Sequence, residues 1–466
     1  MTVSQAPALH DQRRETLVAR TVLVPRIQPP RLGTSLGIGI GTLASLAPGL
    51  LPRSVGTQIA LTGLLAALAL GVAGILRALV RQPGLLGTRQ QTRARMPVAV
   101  VMAVLVVGAV AHAHHWQNTL RAAMGAPRIA VDYWVRCGLG AAVVVGVCLG
   151  ITHTIAWLLR TLGFTRAASV GIVLVLVLQF VGVPAVVTWG ESVYARANAA
   201  VDPTVVEPMS GSGGPGSVVS WASLGAHGRT FVSSAPERAV AVYIGVTAAP
   251  DLHSRVALAI QELVRSGGFE RSHLVVVVPT GSGWIDPKAV EGFDRRFDGD
   301  VALVGLQYSY LPSWASFAFG RNEAAIAARS LFTAVEDHLE GLAHKPKLYL
   351  YGQSLGALSG SAVFADDADQ DRRTCATLWA GPPGGRVHRG GATVLANSSD
   401  PVIWWSPSLL WRPPDLTAAR IDAPIPRWLP GISFLQASAD LLAALDTPRG
   451  HGHRYDADQG TRMGSC

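Results

Sequence analysis

Across 466 residues the chain is 49% hydrophobic and only 15% charged, with a mean hydropathy of +0.32. That is too apolar for an ordinary soluble domain, so membrane spans are sought first, and the length allows two or three domains. The formal net charge of +9 rests on arginine, since Lys288, Lys345 and Lys347 are the only lysines, and without a basic–aromatic stripe or DNA-reading motif it excludes a nucleic-acid binder.

Residues 1–31 form a polar N-terminal tail with Arg13, Arg14, Arg20, Arg26 and Arg31. No small-residue cleavage site follows a short apolar core, so a cleaved signal peptide is not expected. Apolar runs at about 33–51, 56–80, 97–113, 138–159 and 168–190 predict a membrane domain over 32–195 with four to five helices, each near the ~20 residues that cross the hydrocarbon. The first run is the weakest, rich in Gly, Ser and Thr and ending at Pro48 and Pro52. Its Gly37, Gly39 and Gly41 suit close helix packing. His112, His114 and His115 end the third run beside Trp116 and read as polar residues at the headgroups rather than metal ligands.

Arginine sets the orientation. Five lie in the tail, four in the 81–96 loop (Arg81, Arg89, Arg93 and Arg95) and two at 160–167 (Arg160 and Arg166). The alternate loops hold Arg53, then Arg121, Arg128 and Arg136. Five spans with the tail inside place everything after residue 190 outside the cytoplasm. Residues 196–235 read as a linker, flexible through Ser210-Gly-Ser-Gly-Gly-Pro-Gly-Ser217.

From 236 to 456 short β-branched runs alternate with helical ones, which predicts a doubly wound, mostly parallel α/β sheet. Strands are expected at 239–246, 274–278, 301–307, 347–351, 377–380 and 393–396, and helices at 252–266, 322–342 and 357–364. Residues 457–466 read as a C-terminal tail. Four cysteines show no CxxC or Cys/His ligand spacing, so neither a metal site nor a disulfide scaffold is expected.

The chemistry centres on Gly352-Gln353-Ser354-Leu355-Gly356, which follows a strand and opens a helix, the context that gives G-x-S-x-G its meaning. A serine nucleophile needs a base and a carboxylate to orient it, in the chain order Ser, Asp, His on this fold. Asp400 leaves the end of the 393–396 strand, where such an acid emerges. Asp366, Asp367, Asp369 and Asp371 read as a solvated helix end, and Asp415, Asp422 and Asp440 lack a preceding strand. Beyond Asp400 the only histidines are His451 and His453, and Gly452 favours His453 by allowing close approach. The oxyanion would be met by the backbone N–H of Leu355 and of Gly281, in Pro279-Thr-Gly-Ser-Gly-Trp284 with Thr280 beside it. No cofactor or metal enters this chemistry.

Five stretches together resemble one family: Pro279-Thr-Gly-Ser-Gly-Trp284, Gln307-Tyr-Ser-Tyr-Leu-Pro-Ser-Trp314, Tyr349-Leu-Tyr-Gly-Gln-Ser-Leu-Gly356, Leu378-Trp-Ala-Gly-Pro-Pro383 and Gly450-His-Gly-His-Arg-Tyr455. The chain resembles the bacterial membrane-embedded α/β-hydrolase family, with a multi-span N-terminal domain before the hydrolase domain. Ser45-Leu-Ala-Pro-Gly-Leu-Leu-Pro-Arg53 adds to the likeness. The resemblance implies a serine hydrolase in a bacterial membrane.

Trp404 to Leu445 departs from it, because the histidine usually follows the last strand closely and no last strand is legible here. This segment reads as a cap with an aromatic face. The expected activity is esterase- or lipase-like cleavage of lipid-like acyl esters at the outer face. An acyltransferase would use the same groups on a different acceptor, and a catalytically inactive tethered binding domain is the reading from another class.

Overall fold

The computed structural model describes residues 30–79 and 88–466. Residues 1–29 of the tail and 81–87 of the arginine-bearing 81–96 loop lie outside the described residues.

The membrane domain consists of α1 (Leu32–Ser45), α2 (Val55–Leu79), α3 (Thr88–Ala123), α4 (Val131–Gly163) and α5 (Ala168–Ala199). Gly163 at φ 73° breaks the helical path between the last two. Among the described residues, four helices, α2 to α5, are long and apolar enough to cross a membrane. With 14 residues, α1 covers only about 21 Å. It runs antiparallel to α2, with Gly33 against Ala73 and Arg77, Gly37 against Ala69 and Gly41 against Ala66. Gly39, on the other face, meets Met102 of α3. The glycines therefore serve close packing on two neighbours at once, as small residues do between membrane helices.

The helix that carries the third apolar run continues past the run's end at 113 to Ala123, and the polar residues there have partners. His114 is held between the Trp134 indole at 3.2 Å and Asn118 at 3.1 Å. Trp116 Nε1 donates to Gly49 O (2.9 Å), and Gln117 Oε1 accepts from Arg53 N (2.9 Å). Arg121 donates to Arg53 O at 2.7 Å. Trp116, Gln117 and Arg121 thereby brace the turn between α1 and α2.

The second domain contains α6 (Gly225–Ser234), β1 (Val240–Ile244), α7 (Leu252–Arg265), β2 (His273–Val278), α8 (Pro287–Phe297), β3 (Val301–Leu306), α9 (Ser313–Phe319) and α10 (Arg321–Glu340). It continues with β4 (Lys347–Gln353), α11 (Leu355–Ser361), α12 (Asp367–Arg373), β5 (Ala376–Ala380), β6 (Thr393–Asn397), α13 (Pro401–Trp404), β7 (Ala419–Arg420), α14 (Ile432–Asp440) and α15 (Asp458–Thr461). All seven strands are parallel, in the order β1-β3-β2-β4-β5-β6-β7. Helices α7, α10 and α11 pack together on one face, and α6, α8 and α15 on the other. Every residue of β1, β3 and β5 is buried, as expected of parallel strands covered on both faces.

Three expectations change. The 196–235 segment is packed rather than flexible. Ser212 N donates to Ala241 O, Ser212 Oγ accepts from Tyr243 N, and Phe231 of α6 is fully buried. Residues 457–466 are no loose tail, because Gln459 and Met463 are buried and Gly460 lies against Gly292 of α8. Cys375 and Cys466 form a disulfide, with Cα atoms 5.0 Å apart. No local spacing announces a bridge across 91 residues.

Among the described residues, the two domains meet at the α1–α2 turn and at the end of α5. The α1–α2 turn docks on the cap, where Leu50 and Leu51 share a buried cluster with Leu120, Trp404, Leu409 and Ala437. At the end of α5, Asn198 Oδ1 accepts from Gln307 Nε2 (3.0 Å), just beyond β3, and Arg229 of α6 donates to the carbonyls of Ala199 and Ala200. Both joints lie at the carboxyl ends of strands.

Candidate active site

Ser354 sits between β4 and α11 with φ 56° and ψ −123°, a backbone region that costs a non-glycine residue energy and clusters at functional sites. The turn is this tight because no side chain fits on either side. A Cβ on Gly352 would strike the Gly356 carbonyl, and one on Gly356 would strike Val278 O at the end of β2. Ser354 N donates to Ala380 O of the neighbouring strand at 2.8 Å, which fixes the residue at the sheet's carboxyl edge. Leu355 occupies the first turn of α11, where a backbone N–H has no intrahelical acceptor.

Asp400 follows β6 and is fully buried. Its Oδ1 accepts from Val402 N (2.8 Å). Its Oδ2 lies 2.7 Å from His453 Nδ1 and accepts from Tyr455 Oη at the same distance. Burial, reinforced by the Asp400 charge, drives the Tyr455 phenol well above its usual range, so it remains a donor. Tyr455 belongs to the glycine–histidine stretch of the sequence, but nothing in its spacing announced this contact.

His453 is buried against Gly381, the residue after Ala380. A Cβ on Gly381 would come within 2.6 Å of His453 Cε1, and its φ of +58° also favours glycine. The ring is thereby held next to the strand end that carries the Ser354 N–H. His453 Nε2 is buried without a partner, and Ser354 Oγ forms no hydrogen bond among the described residues.

His451 does not join this group. Its Nδ1 lies 3.0 Å from Asp422 Oδ2, and Asp422 also accepts from Ser398 Oγ, Ser399 N and Ser399 Oγ. Asp422, set aside in the sequence for lack of a preceding strand, in fact follows β7, which at two residues is too short to show a periodicity.

On the oxyanion side, Thr280 N donates to Trp284 O (3.0 Å), which leaves Gly281 as the candidate in that loop. A Cβ on Gly281 would meet Ser313 Cα at 2.6 Å. Gln307 Nε2 donates to Ser282 O (3.0 Å) and so ties this loop to Asn198 of α5.

The profile of an alpha/beta-hydrolase family matches residues 240–390 and 386–463, and that of the same family's N-terminal region matches 46–236. No curated protein and no solved structure matches the chain. With both halves matched in order, and apolar helices preceding a parallel sheet, the chain belongs to this alpha/beta-hydrolase family.

Proposed function

We propose that the protein is a membrane-anchored serine hydrolase that cleaves acyl esters of lipid-like substrates. The observation that carries this reading is the strained Ser354 beside a buried Asp400–His453 pair docked on Gly381. Ser354 Oγ attacks the ester carbonyl while His453 Nε2 takes its proton, and Asp400 holds the imidazolium in orientation. The N–H groups of Leu355 and Gly281 stabilise the oxyanion. His453 returns the proton to the leaving alcohol, then activates the water that releases the acid.

The site's surroundings support a lipid-like substrate. Both domain joints lie at the carboxyl ends of the strands, so the edge bearing Ser354 is turned toward the membrane domain. The cap also exposes large apolar side chains, among them Leu410, Trp411, Ile421, Ile425, Leu442 and Leu445. Among the described residues from 236 to 403, only Val264 and Ile326 are comparably exposed. Apolar surface concentrated on one segment marks a contact with membrane or ligand.

The same reading places the hydrolase domain outside the cytoplasm. The loops at 81–96 and 160–167, which join α2 to α3 and α4 to α5, hold six arginines, against Arg53, Arg121, Arg128 and Arg136 in the loops on the hydrolase side. The Cys375–Cys466 bridge suits an oxidising compartment. A fluorophosphonate probe is expected to label the purified full-length protein and to leave Ser354→Ala unlabelled; a folded wild type that resists the probe removes the enzyme reading.

A further inference from the structure

The base has a second anchor besides Asp400. Arg53, in the α1–α2 turn, places Nε 2.9 Å from Asp440 Oδ1, and the two side chains are 2% and 0% exposed. Leu50 N donates to the other carboxylate oxygen at 2.6 Å. Both oxygens of this cap residue are therefore satisfied from the membrane domain, 387 and 390 positions away in sequence. Gly49 fits between them only because it lacks a side chain; a Cβ there would lie 2.7 Å from Asp440 Oδ2.

Asp440 ends α14, and a single tight turn, Leu441–Ala443, follows it. The next carbonyl, Ala444 O, accepts from His453 N at 3.0 Å. Thr447 Oγ1 donates to His451 O (2.7 Å), and Gly452 packs so closely that a Cβ would lie 2.7 Å from Thr447 Oγ1 and 3.1 Å from Ala444 O. Residues 440–447 thus form a shelf under the histidine loop, and its near end is pinned to the membrane domain.

A buried ion pair is a poor source of net stability, because desolvation cancels much of the attraction. It does enforce one geometry, since removing either partner strands a buried charge.

We propose that Arg53 is a positioning residue for His453, acting through Asp440 and the 440–447 shelf. The membrane domain in this way sets the distance from the base to Ser354. The inference rests on the serine-hydrolase reading and adds a role for the α1–α2 turn. A displacement of about 1 Å in such a group costs on the order of 100-fold in rate.

The test uses the full-length protein in nanodiscs, with Arg53→Ala, Arg53→Lys, Asp440→Asn and the reversed pair Arg53→Asp/Asp440→Arg. Two quantities are read: the amplitude and the second-order rate of fluorophosphonate labelling, and kcat and KM on a soluble short-chain ester per labelled site. The expected result for Arg53→Ala is a labelling rate and kcat lower by about 10- to 100-fold with KM changed less than about twofold. Arg53→Lys and the reversed pair are expected to recover part of the loss. A role in folding alone lowers the amplitude and leaves the rate per labelled site at the wild-type value, and that result overturns the proposal. If Arg53→Ala does not fold, Arg53→Lys and Asp440→Asn carry the same reading. If wild type labels and Asp400→Asn slows it while every Arg53 and Asp440 variant keeps the wild-type rate, the positioning role alone fails. An unlabelled wild type removes the hydrolase reading and this role with it.

Discussion

Two aspartate–histidine pairs stand side by side at the carboxyl edge of the sheet. Asp400 and Asp422 leave neighbouring strands, and their partners, His453 and His451, are two residues apart in one loop. Residue type and bond geometry hardly distinguish them. Their surroundings do. His453 presses on Gly381 next to the Ser354 turn and keeps Nε2 unpaired, whereas Asp422 spends its oxygens on Ser398, Ser399 and His451. The Asp400–His453 pair, which we propose as catalytic, packs on the Gly381 that neighbours the Ser354 turn, and the other laces the β6 end to the histidine loop, with Ser399 Oγ accepting from Gly452 N. A catalytic role is assigned by what lies beyond the pair.

The comparison can be broken most directly at the histidines. His453→Ala is expected to lower kcat on a soluble ester by about 10³- to 10⁴-fold, the scale of losing a member of such a triad. His451→Ala should stay within about tenfold of wild type. Equal losses in the two variants would erase the distinction. Asp400→Asn is expected to match the His453 loss in kcat. By contrast, Asp422→Asn should cost about 1–3 kcal/mol of stability, as a disturbed buried acceptor does, and keep most of the activity. Denaturant unfolding beside steady-state kinetics separates these outcomes.

Tyr455→Phe removes one donor from Asp400 and is expected to cost about 1.5–3 kcal/mol, the range for a hydrogen bond to a charged group. A stability unchanged from wild type would mean that the phenol contributes nothing to holding the acid. The smallest effect concerns His227, which lies edge-on to Trp284 in the oxyanion loop and whose pKa burial lowers below 6.5. The unfolded chain binds this proton more readily, so stability falls as pH drops through 6.5, by at most about 1.4 kcal/mol per pH unit for a single group. His227→Gln should flatten that slope in a pH series of thermal melts, and an unaltered slope would assign the acid sensitivity elsewhere.

The sheet was legible where the signal is local. The apolar run His273–Val278 and the glycines around Ser354 each speak within a few residues, and so does the delivery of Asp400 from a strand end. What escaped was long-range. β7 is a strand only because Ala396 and Asn397 lie beside it. The choice between His451 and His453 depended on which carboxylate each meets. Arg53, weighed in the sequence as a topology signal, turned out to be buried against a residue 387 positions away. The supposed linker folds onto β1 through backbone bonds that composition does not reveal.

The disulfide has a consequence for the fate of a damaged molecule. Cys375 and Cys466 close a ring of chain that contains Asp400, Asp440, His453 and the whole cap, while Ser354 lies just before it. A protease that nicks the exposed cap cuts a ring, not a string, so both pieces stay attached until the bond is reduced. Such a nick therefore leaves the acid and base on the same covalent body as the serine. On a gel, the clipped protein would run as one band without reductant and as two with it.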